Sequence, residues 1–432
     1  MTGSTGARPA PVVWALTRAV LLLCVTKVIV LPGPDVTGDV SVIYHGWSQV
    51  LGSGTYPGSD VTWQYPPLAA LAVLSPALLP FLDYTSAFFV LVLLCDGLVL
   101  GLLLYAGRRR ERSAAGAWVW VAGVPLLGTT AYARYDMMAT AVAVAALLAG
   151  IRHPRALGAL AAAGALLKVW PVLVLVGTAP GSRTRRAWTA AVVTAAWLLL
   201  CAAAVPGAFA FLGFQRDRGT EVESLGALVF HVARWFGWPG RVELHYGSLE
   251  FLGPGVPLVS TLALGLSVAA LGWLLLWRLR ARAFEASTPA DAAFTAVLLF
   301  TTTSRVISPQ YLLWLVGLAA VCLVFRDSDM ALPAGLVLLA TAVTQAEFPF
   351  GFSHVVASDA TGVALMAARN GLLVAATLTA CRRLWRRTVP GDGAGPPRPA
   401  DPRRTSLAPR GRSGSGPVLS RAVRADGPAS AR

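Results

Sequence analysis

Apolar blocks recur along the chain, each near the length that carries a helix across a bilayer (roughly 20 residues), and arginine clusters separate them. Such a pattern predicts an all-α polytopic membrane protein, because lipid offers no partner to an unpaired backbone amide. Composition agrees. Of 432 residues, 56% are apolar and 13% charged, whereas soluble domains carry about 25% charged residues. A soluble enzyme is excluded. One membrane unit, 1–387, and a disordered cytoplasmic tail rich in Pro, Gly, Ser and Arg, 388–432, account for the length.

The net charge of +15 does not point to nucleic acid, since no continuous basic face lies beside base-stacking aromatics. The arginines fall between apolar blocks, which is the positive-inside pattern of cytoplasmic loops. Cys24, Cys95, Cys201, Cys322 and Cys381 all lie in apolar segments without metal-ligand or disulfide spacing, and read as inert core residues.

Placing each arginine cluster in the cytoplasm fixes a topology for a multi-pass cell-membrane protein with both termini cytoplasmic. Residues 12–31 form a retained first helix, and 32–66 an outer loop with an interfacial helix near 39–52. The piece 67–82, interrupted by Pro76 and Pro80, lies along the outer interface, and 84–106 returns to Arg108, Arg109, Arg110 and Arg112. Spans at 115–131 and 136–151 flank a charged outer tip. The next stretch, 156–180, is interrupted by Lys168 and Pro171 and followed by Arg183, Arg185 and Arg186, which calls for a re-entrant hairpin or a broken helix, and such irregular backbone at membrane depth is tolerated only where it is buried or lines a cavity. Span 187–205 leads to a long outer loop, 206–254, and 255–277 returns inward. Spans 290–304 and 309–325 flank a second outer tip, and 331–347 and 360–381 complete ten to twelve transmembrane helices.

With this topology the unusual polar residues collect on the extracytoplasmic side. They are Asp35, Asp39, Tyr44 and His45; the run Trp63-Gln64-Tyr65; Arg134 and Asp136; Gln215, Arg216, Asp217, Arg218, Glu221 and Glu223; and Ser304-Arg305 to Gln310-Tyr311. Lys168 reaches them through the broken segment. Cations to hold phosphate, aromatic faces for sugar rings and a carboxylate to accept a hydroxyl proton suit an anionic, sugar-bearing lipid. Trp63, Tyr65 and Tyr311 are also what an interfacial aromatic belt would contain, and His45 fits a plain polar loop equally well. Asp96, inside a span, reads as structural, paired with a neighbouring helix.

The order Gly38-Asp39 with Tyr44, then Tyr65-Pro66-Pro67, Asp136 opening a helix, Lys168-Val169-Trp170-Pro171 and Ser304-Arg305-Val306-Ile307-Ser308-Pro309-Gln310-Tyr311 with Trp314 resembles glycosyltransferase family 87, from about residue 10 to residue 385. The Ser-Pro-Gln-Tyr stretch is its most specific element. The resemblance implies a C-type glycosyltransferase fold and inverting transfer of sugar from a polyprenyl-phosphate donor to a cell-envelope glycolipid or glycan acceptor. Mannose is the first expectation and arabinofuranose the alternative. By the same resemblance Asp39 is the general base, with Asp35 a nearby competitor. Arg305 and Lys168, then Arg134, Arg216 and Arg218, are the candidate phosphate-binding cations. Tyr44, His45, Trp63, Tyr65, Asp136, Gln310 and Tyr311 are the candidate sugar or acceptor contacts.

Asp327-Ser328-Asp329 copies the short acidic motif with which nucleotide-sugar transferases hold a metal, but no nucleotide-binding domain surrounds it, and it reads as a solvated cytoplasmic turn. No metal ligands and no cofactor beyond the lipid-linked donor are expected; a divalent-metal requirement, the acceptor linkage and the oligomeric state stay open. Membrane lipids, the lipid-linked sugar and the acceptor are the expected partners. A transporter is the competing class, yet it should place polar groups near the midplane and show related halves, and neither feature is evident.

Overall fold

The computed structural model describes residues 9–109, 111–216 and 218–390, without the side chains of Gln215 and Arg216. Residues 1–8, Arg110, Asp217 and the expected tail from 391 onward lie outside the described residues.

Helix α1 (Ala10–Val25) is followed by a π-helical turn, Asp39–Tyr44, that runs directly into α2 (His45–Gly52), the short helix expected near 39–52. Helix α3 (Ala69–Leu74) gives way to a 3-10 turn, Ser75–Leu78, where Pro76 has no amide to donate. Helix α4 (Tyr84–Gly107) starts at Asp83, whose carboxylate accepts from the Thr85 and Ser86 amides at 3.1 Å, satisfying two donors that a helix start leaves orphaned. Helices α5 (Ala115–Leu127), α6 (Asp136–Gly150) and α7 (Pro154–Leu167) follow. At Lys168 the backbone becomes extended, with φ −155° and ψ 133°, and the chain resumes as a 3-10 stretch, Trp170–Leu175. The broken segment read from Lys168 and Pro171 is therefore present.

Helices α8 (Ser182–Ala203) and α9 (Phe211–Arg216) lead into a region where the sequence shows only a loop. That region instead folds into strand β1 (Thr220–Glu221), helix α10 (Ala227–Trp235), and strands β2 (Arg241–His245) and β3 (Ser248–Leu252). The strands form an antiparallel sheet in the order β1-β3-β2. Phe251 of the central strand lies opposite Thr220 and Val242, and packs with Val222, Phe230 and Met366 in a small core of its own. A two-residue strand carries too little alternation to be seen in sequence.

The remainder is helical: α11 (Val256–Arg280), α12 (Thr288–Thr303), α13 (Tyr311–Cys322), α14 (Ala331–Gln345) with a π-helical extension, Ala346–Phe350, then α15 (Phe352–Ala357) and α16 (Ala360–Thr388). Among the described residues five helices are long and apolar enough to span a bilayer: α4, α8, α11, α14 with its extension, and α16. Other expected spans are shorter apolar helices, such as α1, α5, α6, α7 and α13.

The long and short helices do different work. On α8 and α11 the apolar side chains point outward, Val192, Val193, Trp197 and Leu200 on one and Leu258, Leu262, Val268 and Leu275 on the other, as lipid-facing surfaces do. By contrast α13 is buried at every position from Leu312 to Cys322, and a helix apolar all round belongs in an interior. Close approach of α7 and α8 requires Gly158, where a Cβ would collide with the Ala187 carbonyl.

Inside the bundle Asp96 is fully buried and paired, as expected, with a neighbouring helix. Its Oδ2 lies 2.7 Å from Arg18 Nε and accepts the Tyr132 hydroxyl at 2.7 Å. Its Oδ1 accepts the indole N–H groups of Trp14 at 2.9 Å and Trp120 at 2.7 Å. One carboxylate thereby joins α1, α4 and α5. Removing one partner of a buried pair typically costs about 3–5 kcal/mol, because the other charge is stranded. Asp96→Leu should therefore lower the thermal midpoint of the detergent-solubilised protein sharply, and Arg18→Leu added to it should restore much of the loss.

Candidate active site

Where α6 and α13 begin and α7 and α12 end, the chain encloses a cavity of about 670 Å³, inside the range of small-ligand sites (roughly 300–1,000 Å³). Asp39, Tyr44, Trp47 and Tyr65 supply one part of its wall, Arg134 and Lys168 another, and Arg218, Glu221, Glu223, Arg305, Gln310 and Tyr311 a third.

Asp39 opens the π-helical turn, a local widening of the helix that often accompanies functional residues. Its Oδ2 lies 2.9 Å from Arg134 Nη2, and Arg134 Nη1 also donates to the carbonyls of Val36 at 3.0 Å and Ala133 at 2.7 Å. Three contacts hold the guanidinium, whose side chain is 12% exposed, while the Asp39 side chain is 36% exposed. The carboxylate is thus oriented from behind and open in front. Asp35 is engaged elsewhere, with Lys27 at 2.8 Å and the Thr37 hydroxyl at 2.6 Å, and does not line the cavity.

Lys168 stands at the break after α7. Its Nζ is 2.8 and 2.9 Å from the two oxygens of Asp136, and Asp136 Oδ1 also accepts the Trp314 indole N–H at 2.6 Å. The rings of Tyr135, Tyr65, Trp314 and Tyr311 surround the ammonium at 4.9, 5.3, 5.4 and 5.9 Å, within reach of cation–π attraction. Asp136, read from sequence as a sugar contact in a charged tip, is fully buried, off the cavity wall, and serves as counterion to Lys168. The tip is not solvated: Ala133 and Tyr135 are buried with it.

Sheet and helices meet at Glu221. Its Oε2 accepts the Ile307 amide at 2.6 Å, its Oε1 accepts the Ser308 hydroxyl at 2.9 Å, and its own amide donates to the Arg305 carbonyl at 3.1 Å. Burial pushes this carboxyl above its usual range, and Arg218, Ser308 and the Ile307 amide pull the other way. Strand β1 thereby fixes the 304–311 loop that carries Arg305, Gln310 and Tyr311. Arg218 is held by the Ser248 hydroxyl at 2.5 Å and Glu250 at 3.5 Å. Tyr311 stacks on Trp314 with ring centres 4.0 Å apart. The side chain of Arg216 lies outside those described.

Two expected contacts do not reach the cavity. His45 is exposed and stacks on Tyr84 at 4.8 Å. Trp63 is fully buried behind the wall, edge-on to Trp47 at 5.1 Å and to Tyr65 at 6.0 Å. Trp47, unassigned from sequence, takes the place on the wall, with its indole N–H donating to Asp60 at 2.8 Å. The turn after β2 closes over this region through the Gln64 amide, which donates to the Tyr246 carbonyl at 2.6 Å. Asp327-Ser328-Asp329 is a turn with none of its residues buried, tied to its neighbours by hydrogen bonds: Asp327 accepts the Ser287 amide at 3.2 Å, Ser328 donates to Asp291 at 2.6 Å, and the exposed Asp329 pairs with Arg383 at 2.6 Å. Among the described residues no group of three or more His, Cys, Asp or Glu is placed to hold a metal.

A second, apolar groove of about 230 Å³ runs between α11 and α12, lined by Leu264, Leu271, Leu274 and Leu299. It shares Phe300, Ser304 and Arg305 with the larger cavity. Arg305 therefore stands on the wall of both the apolar slot and the larger chamber.

The Lys168–Asp136 pair should be as sensitive as it is buried. Asp136→Leu alone is expected to reduce the yield of folded protein severely, whereas Asp136→Leu with Lys168→Met should recover thermal stability, as measured by a melting curve of the purified protein.

The profile of glycosyltransferase family 87 matches residues 63–309, more than half of the chain. Neither a curated protein nor a solved structure shows a match. The matched stretch includes Tyr65, Arg134, Lys168, Glu221 and Arg305, which are brought to one cavity from distant parts of the sequence. The chain belongs to glycosyltransferase family 87 and is a membrane glycosyltransferase.

Proposed function

We propose that the protein transfers a hexose, mannose, from a polyprenyl-phosphate donor to a cell-envelope glycolipid or glycan on the extracytoplasmic side, with inversion at the anomeric carbon. The observation that carries this reading is a chamber with an oriented, open carboxylate at Asp39 that shares the wall at Arg305 with an apolar groove. A donor with a sugar, a phosphate and a long hydrocarbon chain has this sequence of chemistries.

In the proposed step the acceptor hydroxyl gives its proton to Asp39 as its oxygen attacks the anomeric carbon. The bond from that carbon to the phosphate oxygen breaks, and the electron pair leaves with the polyprenyl phosphate. Attack from the face opposite the departing phosphate inverts the centre. Arg305 and Arg218 supply positive charge to the leaving phosphate. Lys168 is a further candidate, its charge matched by Asp136 as that of Arg218 is by Glu250. Arg134 keeps Asp39 directed into the chamber through the 2.9 Å contact. Tyr65 and Tyr311 offer faces to a sugar ring.

Positioned general bases contribute about 10²–10⁴-fold to rate. Asp39→Asn should therefore lower transfer of radiolabelled sugar from polyprenyl-phosphate mannose by at least about 100-fold, while Asp35→Asn stays near the unmodified protein. Running polyprenyl-phosphate arabinofuranose in parallel decides the sugar: transfer from that donor alone would replace mannose with arabinofuranose. Normal turnover by Asp39→Asn would remove the base assignment, and flipping of the lipid without transfer would favour a transporter.

A further inference from the structure

A third cavity, of about 260 Å³, lies at the end of the bundle away from the chamber and shares no lining residue with it. It is enclosed by the end of α6, the starts of α7 and α12 and the end of α13. Asp136 opens α6 beside the chamber and Leu147 of the same helix stands on this wall, so the helix separates the two places by roughly 16 Å, at about 1.5 Å per residue. Leu147, Ile151, Leu157, Phe284, Val321 and Phe325 make most of the lining apolar. Such a void has little to offer water and accepts hydrocarbon instead, because lining atoms that face empty space lose their dispersion contacts.

The mouth is basic. Arg183 lines the cavity, is exposed, and donates to the Ile151 carbonyl at 2.6 Å, which holds its guanidinium on the rim. Arg152, Arg155, Arg185 and Arg186 are also exposed, each within three residues of a wall position. Arg278 stands over the Phe284 ring at 5.2 Å and donates to Thr184 at 3.4 Å. Among the described residues none of these six arginines is paired with a carboxylate, whereas Arg383 and Arg387 on the same side pair with Asp329 and Glu285 at 2.6 and 2.7 Å. Glu285, the acidic group on the wall, is thereby already answered by Arg387. Guanidinium groups in this state favour a phosphate. The positive-inside rule assigns this end to the cytoplasm, whose leaflet carries the anionic lipids.

We propose that this cavity binds one anionic phospholipid of the cytoplasmic leaflet, with an acyl chain in the apolar void and the phosphate at Arg183. A neutral lipid would leave the arginines unanswered, and a soluble anion would leave the void unfilled. The bound lipid braces α6, α12 and α13 at the ends away from the chamber. Nothing in this site depends on which sugar the chamber transfers.

Phosphatidylglycerol and phosphatidylcholine carrying the same photoreactive diazirine midway along one acyl chain, compared in nanodiscs that hold the full-length protein, locate the chain by mass spectrometry of labelled peptides. The phosphatidylglycerol probe should label residues 147–157 and 321–325 at least about fivefold more than the phosphatidylcholine probe, the weight of one arginine near an anionic surface. Arg183→Gln should lower that labelling by a similar factor. Ala286→Trp, at an exposed wall position, fills the mouth with every charge kept in place and should abolish it. Melting curves report whether each variant is folded, and Arg183→Gln, on the surface, serves if Ala286→Trp is unstable. Equal labelling by the two probes, labelling confined to the outward-facing residues of α8 and α11, or labelling unchanged in a folded variant would overturn the site.

Discussion

A lysine ammonium boxed in by four aromatic rings and answered by a single carboxylate organises the site end of this protein. Lys168 ends one helix, Asp136 begins another, and Trp314, which bonds the same carboxylate, belongs to a third. The pair sits at a break in the chain after α7. Proline at 171 and the extended backbone at 168 supply that break. Once the three helix ends are tied, the loops between them, with Arg134 on one and Arg305 on another, are confined to the rim of a single chamber.

Buried ion pairs recur elsewhere in the bundle. Arg18 with Asp96, and Arg369 with Glu347 and Glu223, lie wholly inside the protein. Such pairs do little for stability in comparison with well-packed apolar residues, but each partner forbids any packing that separates it from the other. In a bundle whose helices are mostly uniform in apolar character, that exclusion distinguishes the correct neighbour from an alternative of similar greasiness. Asp96 selects the α1, α4 and α5 contacts, and Arg369 selects the seat of the small sheet on α16.

Much of this was legible in sequence. Membrane embedding followed from block length and arginine spacing, the break at Lys168 from a charge and a proline inside an apolar run, and the short helix at 39–52 from a polar, aromatic stretch. The cavity gathers Asp39, Tyr44, Tyr65, Arg134, Lys168, Arg218, Arg305, Gln310 and Tyr311 from the expected set. Other features were hidden for physical reasons. Asp136 and Arg134 stand two residues apart in one short turn, yet one is a buried counterion and the other reaches the chamber, and only side-chain direction separates them. Trp63 and Trp47 are both indoles near one wall, and which of them touches it depends on packing between segments 16 residues apart. The sheet escaped notice because one of its strands is two residues long and the pairing joins it to a strand about 30 residues later. Arg369 had a usable signal, an arginine within a long apolar stretch, the same reasoning that flagged Asp96.

The contrast between α13 and the outward-facing α8 and α11 has a mechanical consequence. A bilayer that is too thick or too thin for a protein exerts its strain on the helices that touch lipid, which respond by tilting or by local deformation of the membrane. Here those helices are the long peripheral ones, while the helix that carries Tyr311 and Trp314 into the chamber is sheathed by protein along its length. Changes in membrane thickness are thus absorbed at the periphery, and the aromatic floor of the chamber is insulated from the lipid in which it is immersed. The groove between α11 and α12 straddles that boundary, with lipid-facing α11 on one side and the largely buried α12 on the other.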